Sequence, residues 1–161
     1  MKESERDESE EIERVTREMQ EMILADLRRT YSAVVIDHWQ HPRNFSTLEA
    51  PDGYARMTGI CGDTMEIYLK IRDEKVAACT FQTDGCGTTI VCGSVATELA
   101  SGKTIIETLG AVSAEGILRI LGGLPESSVH CAQLASETLR RALADYLSKK
   151  NTLWKKNYQK K

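Results

Sequence analysis

Five cysteines and three histidines are the residues of this chain best able to bind metal or handle sulfur. The cysteines stand at 61, 79, 86, 92 and 131, and no two of them form a CxxC pair. A local zinc-finger signature is therefore missing, and any ligand set must be assembled by the fold. An odd cysteine count fits metal or thiol chemistry better than a disulfide framework. Three of the five sit where structure is expected to change. Cys61 lies in the turn Gly59-Ile60-Cys61-Gly62-Asp63, Cys86 in Asp84-Gly85-Cys86-Gly87-Thr88, and Cys131 directly after His130. Such edges let side chains from separate elements converge, and the flanking glycines let the backbone come close to a bound group.

Cys86 just before one expected helix and Cys131 in the first turn of another both feel the positive end of a helix dipole, which favours thiolate. Thiolate is the form that binds iron or zinc and the form that attacks sulfur. Three thiolates with a carboxylate or an imidazole suit a [2Fe-2S] cluster or a single zinc ion, because the fourth position is harder and exchanges more readily. Asp63 and His130 are the candidates for it. Cys79, two residues from Phe81 on an expected strand, is read as core, and so is Cys92, about one and two-thirds turns beyond Cys86 on a helix. His38 and His41 flank an expected helix stop and are read as surface or capping residues rather than ligands.

The elements that must position these residues are legible from spacing. Ile12, Val15, Met19, Met22, Ile23 and Leu27 recur at three and four, an amphipathic helix reaching toward Tyr31. One stripe of this width is expected to dock on its own domain; the alternative is a partner-binding or dimerising helix, which would make a homodimer. Tyr31 to His38 reads as a short helix ended by Pro42. Met65, Ile67, Leu69 and Ile71 alternate with Glu66, Tyr68 and Lys70 as a strand with one buried face. The polar turn 72–75 returns it as a second strand over Val76–Thr83, and Tyr54–Thr58 makes a third. Helices follow: one through Val91, Val95 and Leu99 to Gly102, one opened by the capping box Thr104/Glu107, and one over Ala114–Leu121 closed by Gly122-Gly123. The last carries Ala132, Ala135, Leu139, Leu143 and Tyr146, with Ser127 or Ser128 as its N-cap. Strands followed by helices, without alternation, predict an α+β domain: a small three-stranded antiparallel sheet with helices packed on one face, preceded by an N-terminal helical extension.

At 161 residues and 41% hydrophobic content the chain can bury one ordinary core. A formal charge of -3 gives no global field for nucleic acid or an anionic membrane. Charge is uneven locally, with Glu, Asp and Arg dominating the start and six lysines without an acid in 149–161. Three regions are expected: a charged amphipathic extension over 1–30, a folded domain over 31–148 and a basic tail over 149–161, read either as a frayed terminus or as lysines that meet an acidic partner. No apolar stretch approaches the ~20 residues a membrane span needs, and the first residues lack the apolar core of a signal peptide, so a cytoplasmic protein is expected.

Taken together, Tyr31-Ser32, Val35-Ile36-Asp37-His38, Pro42-Arg43-Asn44, Cys61-Gly62-Asp63, Phe81, Gly85-Cys86-Gly87, Ala96-Thr97-Glu98, Gly102-Lys103, His130-Cys131 and Ala142–Tyr146 resemble the IscU/NifU-type iron-sulfur cluster assembly scaffolds, in the same order and at similar spacing. The resemblance covers about Tyr31 to Leu147. It implies a non-enzymatic scaffold: a cysteine desulfurase delivers persulfide sulfur, iron joins it, and a finished [2Fe-2S] cluster passes to apo-acceptor proteins. By position it implies Cys61, Cys86 and Cys131 as ligands, with Cys131 as persulfide acceptor. It also implies Asp63 as the aspartate that tunes metal binding and release, and His130 as a residue that ligates or adjoins the metal. Zinc can occupy the same site.

There are departures. Ser128 replaces the lysine of a Leu-Pro-Pro-Val-Lys run, here Leu124-Pro125-Glu126-Ser127-Ser128-Val129 before His130, which argues against recognition by a dedicated Hsp70-type chaperone. Asp84 stands where an aromatic is common, and Cys92 where a small residue is usual. Two alternative functions are a zinc-dependent sulfurtransferase resembling SufU and a structural zinc domain. The first carries an insertion between the second and third ligand cysteines that the 45 positions from Cys86 to Cys131 do not hold. The second has little use for Asp63, since structural zinc prefers sulfur and nitrogen.

Overall fold

Alternation along β2 (Thr64–Arg72) turns Met65, Ile67, Leu69 and Ile71 to one face, where they are almost wholly excluded from solvent. The structure, a computed structural model, describes residues 2–158, and of the side chains those of 8–152 and Trp154. β2 is the middle strand of an antiparallel sheet, with β1 (Gly53–Thr58) on one side and β3 (Lys75–Thr83) on the other. The register pairs Met57 with Met65, Ile67 with Phe81 and Leu69 with Cys79, so one face carries all the large apolar side chains. Asp73 and Glu74 make the β2–β3 turn with φ of 50° and 61°, the hand that matches strand twist.

Helices cover that apolar face. α3 (Gly87–Ala100) and α6 (Val129–Tyr158) lie on the sheet, while α4 (Ile105–Ala111) packs on α3 and α5 (Ala114–Leu121) on α3 and α6. Val91, Val95, Ile117, Leu121, Leu139 and Leu143 meet Phe81 and the β2 residues in one core. The opposite sheet face is polar: the Tyr54 and Tyr68 rings meet at a tilt with centroids 5.1 Å apart, and Arg56 pairs with Glu66 at 3.5 Å. The architecture is the expected α+β fold with its first helix at the N-terminus.

Local signals explain the element ends. α2 (Ala33–Gln40) is capped by Ser32, whose hydroxyl accepts from Val35 N, and it stops before Pro42. Thr104 and Glu107 form the reciprocal capping box, and Gly122 ends α5 at φ 71°. Cys79 and Cys92 are buried core residues, as their setting suggests. His38 is buried too rather than on the surface. Its Nδ1 lies 2.8 Å from Ser94 Oγ, and the Arg43 N–H donates to the same oxygen at 2.8 Å, so the Asp-His and Pro-Arg-Asn segments fasten α2 to α3.

Three further expectations need correction. The apolar stripe of α1 (Lys2–Thr30) does not dock on its own domain: Ile12, Val15, Met19, Met22 and Ile23 are exposed, and only Leu24 and Leu27 are half-buried. Ser127 and Ser128 do not cap α6. They lie inside a 3-10 turn, Glu126–Ser128, whose Ser128 N–H donates to Pro125 O and which runs directly into the helix. Nor does the chain fray at residue 149, because α6 continues to Tyr158; Lys149 bonds Asp145 at 2.6 Å and Lys150 bonds Glu74 at 2.5 Å.

Candidate metal and sulfur site

Strand pairing brings Asp63 and Cys86 together. Asp63 immediately precedes β2 and Cys86 follows β3, and the register Met65↔Thr83 sets the two loops side by side. Asp84 helps: its Oδ1 accepts from Thr64 N at 2.6 Å. Thr83 Oγ1 donates to Thr64 O at 2.6 Å and accepts from Gly85 N at 3.0 Å. Gly62 takes φ 88° in the turn that carries exposed Cys61, a conformation that favours glycine. A third segment, the start of α6, delivers Cys131.

Two residues not singled out from the sequence, Thr88 and Thr89 in the first turn of α3, lie among these groups. Thr89 is fully buried. Its hydroxyl donates to Asp63 Oδ2 at 2.6 Å and lies 3.4 Å from Cys131 Sγ and 3.6 Å from Cys86 Sγ. Thr88 Oγ1 lies 3.0 Å from Cys86 Sγ and 3.5 Å from Cys131 Sγ. Gly85 is small for the same reason: a Cβ there would stand 2.6 Å from Asp63 Oδ2 and 2.8 Å from Thr89 Cβ. A Cβ on Gly87 would meet the Trp39 indole at 2.8 Å. The glycines around Cys86 thus make room for protein groups.

Three of the five candidate donors, Asp63, Cys86 and Cys131, differ in charge state. The Thr89 hydrogen bond, aided by the Cys86 N–H and the Cys61 and Cys86 thiols, outweighs partial burial and holds the Asp63 carboxyl below its ordinary value. At Cys86 partial burial pushes upward, but bonds from the Thr88 and Thr89 side chains and backbone outweigh it, so its thiol titrates below the usual range. Cys86 is the N-cap of α3, where the helix dipole acts in the same direction. Cys131 departs from the thiolate expected at a helix start. It is 1% exposed, and burial pushes its thiol up despite the Thr88 and Thr89 bonds. Burial likewise raises the Cys92 thiol, with smaller upward pushes from Cys131 and Cys86, which sets Cys92 in the core close to the site.

His130 is half-buried beside Cys131 in the first turn of α6. Among the described residues no three His, Cys, Asp or Glu side chains are gathered as a ready metal site; they converge on the threonine hydroxyls instead. Side-chain rotation is needed before they share an ion. The donor types nonetheless suit one: soft sulfur at 61, 86 and 131 with an ionised carboxylate at 63. Beside Cys86 an apolar groove of about 350 Å³ opens between Leu27, Tyr31, Val35, Trp39 and Val91.

A three-stranded α+β fold with a thiol and carboxylate cluster at one sheet end defines the class. The chain belongs to the NifU-like N terminal domain family, whose model matches residues 30–153. It is 44% identical over 120 residues to iron-sulfur cluster assembly scaffold protein IscU 1 of Archaeoglobus fulgidus, covering 74% of this chain and 78% of that one. Identity to the IscU scaffold protein of Aquifex aeolicus is 38% over 122 residues, covering 74% and 77%. The fold matches a solved NifU-like N-terminal structure from Brucella abortus with a TM-score of 0.58 at 20% identity, over 73% of this chain and 94% of that one. Among the described residues no helix is long and apolar enough to cross a membrane.

Proposed function

We propose that this chain is a scaffold on which [2Fe-2S] clusters are built from iron and from sulfur supplied by a cysteine desulfurase, then passed to apo-acceptor proteins. The cluster is its product and cargo, and the chain is not itself an enzyme. The single observation that carries this reading is the convergence of Asp63, Cys86 and Cys131 on one buried hydroxyl, with exposed Cys61 two residues before that aspartate. Residues 31–148 form the assembling unit, 1–30 an extension and 149–161 a basic appendage. Five free cysteines suit a reducing compartment such as the cytoplasm.

In this account Cys61, Cys86 and Cys131 bind iron, and Asp63 is the hard, exchangeable ligand through which a cluster leaves. His130 serves as the alternative donor at that position. Cys131 accepts the sulfur: its sulfur attacks the outer sulfur of the desulfurase persulfide, forms the new S–S bond and releases the desulfurase thiolate. Because Cys131 is buried and its thiol raised, this step requires the α6 N-terminus to open toward the exposed Cys61 and Cys86. The site can hold zinc in place of iron.

The test is anaerobic reconstitution with ferrous iron, cysteine and a desulfurase, followed by iron and sulfide analysis. Wild type should gain equimolar iron and sulfide, and serine at Cys61, Cys86 or Cys131 should each prevent stable assembly, whereas alanine at Cys79 or Cys92 should not. A colourless wild-type protein that keeps one zinc would support the sulfurtransferase reading instead.

A further inference from the structure

Thr89 contributes no ligand in the account above, yet its hydroxyl is fully buried and touches three of the proposed ones. A hydroxyl has one proton. At 2.6 Å from a carboxylate, against 3.4 and 3.6 Å from sulfurs, that proton goes to Asp63 Oδ2, the shorter contact and the charged acceptor. Asp63 itself lies in a loop just past Gly62, and its carboxylate also accepts from the Cys86 N–H, at a longer 3.3 Å. Thr89 in turn is fixed on α3 among buried core residues, with Gly85 leaving the space in which the two side chains meet.

We propose that Thr89 is a positioning residue for the metal-binding carboxylate: its hydroxyl tethers Asp63 at the sheet end where Cys86 and Cys131 lie, so that less freedom is lost when the side chains turn to share a divalent ion. A carboxylate offers about four lone-pair sites, so one oxygen can stay with Thr89 while the group binds metal. Orienting hydrogen bonds of this kind typically contribute about 10- to 100-fold in metal affinity. The inference rests on the reading of Asp63 as a ligand and adds the residue that aims it. Thr88, whose hydroxyl touches the Cys86 and Cys131 sulfurs rather than the Asp63 carboxylate, is the internal control.

The experiment titrates the full metal-free chain with cobalt(II) under anaerobic conditions, following the ligand-field bands and the thiolate charge-transfer bands separately, with apo-protein melting curves as the fold check. Thr89→Val should weaken cobalt binding about tenfold or more and shift the ligand-field bands toward those of Asp63→Ala, with thiolate bands retained. Thr89→Ser should restore both. Thr88→Val should leave the ligand-field bands of the Asp63 oxygen in place. In an Asp63→Ala background, Thr89→Val should add little further loss, since the group it aims is gone. Equal losses with and without Asp63 would overturn the proposal and show that Thr89 acts through packing, as would wild-type spectra and affinity for Thr89→Val. Wild-type binding by Asp63→Ala itself would overturn the ligand reading, and the proposal with it.

Discussion

Gly85→Ala is the substitution in which packing and site chemistry meet most sharply. Its φ is not in the left-handed region, so backbone strain is absent and the effect is local. The added Cβ would lie 2.6 Å from Asp63 Oδ2 and 2.8 Å from Thr89 Cβ and Cγ2, closer than real Cβ contacts allow. Thr89 is held by α3, so the carboxylate must move, breaking its bonds to Thr89 Oγ1 and Cys86 N. A hydrogen bond to a charged group contributes about 1.5–3 kcal/mol, and the half-exposed setting of Asp63 reduces that to about 1–2 kcal/mol. Alanine recovers about 0.4–1 kcal/mol by restricting the unfolded chain. The net loss is about 1 kcal/mol, or about 2–5 °C in Tm for a chain of this size. The site should suffer more: cobalt(II) or zinc(II) affinity should fall about tenfold, as for loss of an orienting partner. The Tm difference also carries a pH signature. A carboxyl whose folded value is depressed contributes stability above its unfolded value and loses it as pH falls through the folded one. The gap between wild type and Gly85→Ala should therefore narrow in acid. Circular dichroism melts at neutral and acid pH, with competitive metal titration, measure all three quantities. Unchanged Tm and metal affinity would refute the reasoning that Asp63 and Thr89 fill this space.

Iodoacetamide should label the exposed Cys61 and Cys86 well before buried Cys131, and Cys79 and Cys92 only on unfolding; mass spectrometry of timed digests checks the order. The labelling rate of Cys86 should rise through a midpoint below the ordinary thiol value, and that of Cys131 through one above it. Removal of residues 1–23 should leave the domain folded with Tm changed by no more than about 2 °C, because among the described side chains of α1 only Leu24 and Leu27 are half-buried. A large fall in Tm would show that the exposed stripe of α1 is covered in solution.

The elements were legible wherever a local rule decided them. Period-two burial along β2, the capping box at Thr104 and Glu107, and glycine ends at Gly102 and Gly122 are dictated by near neighbours in sequence. Cys79 and Cys92 were readable as core because their segments are apolar on the right face. The threonines were not, since Thr89 meets an aspartate 26 positions earlier and a cysteine 42 positions later, and a hydroxyl in a helix's first turn carries no mark of either partner. The ionisation of Cys131 was misjudged because a helix start argues for thiolate while the packing of α6 on α3 buries the sulfur, and burial wins. The undocked stripe of α1 illustrates the converse: periodicity shows which face is apolar and does not say what covers it.

The most direct test of the scaffold account follows an assembled cluster out of the chain. Wild-type protein reconstituted anaerobically is mixed with an apo-ferredoxin in the presence of an iron chelator, and visible circular dichroism tracks both proteins. The account predicts that the ferredoxin signal grows as the scaffold signal decays, with acceptor iron and sulfide rising together and little iron reaching the chelator. A cluster that stays on the chain, or iron that passes to the chelator while the ferredoxin remains apo, would contradict it.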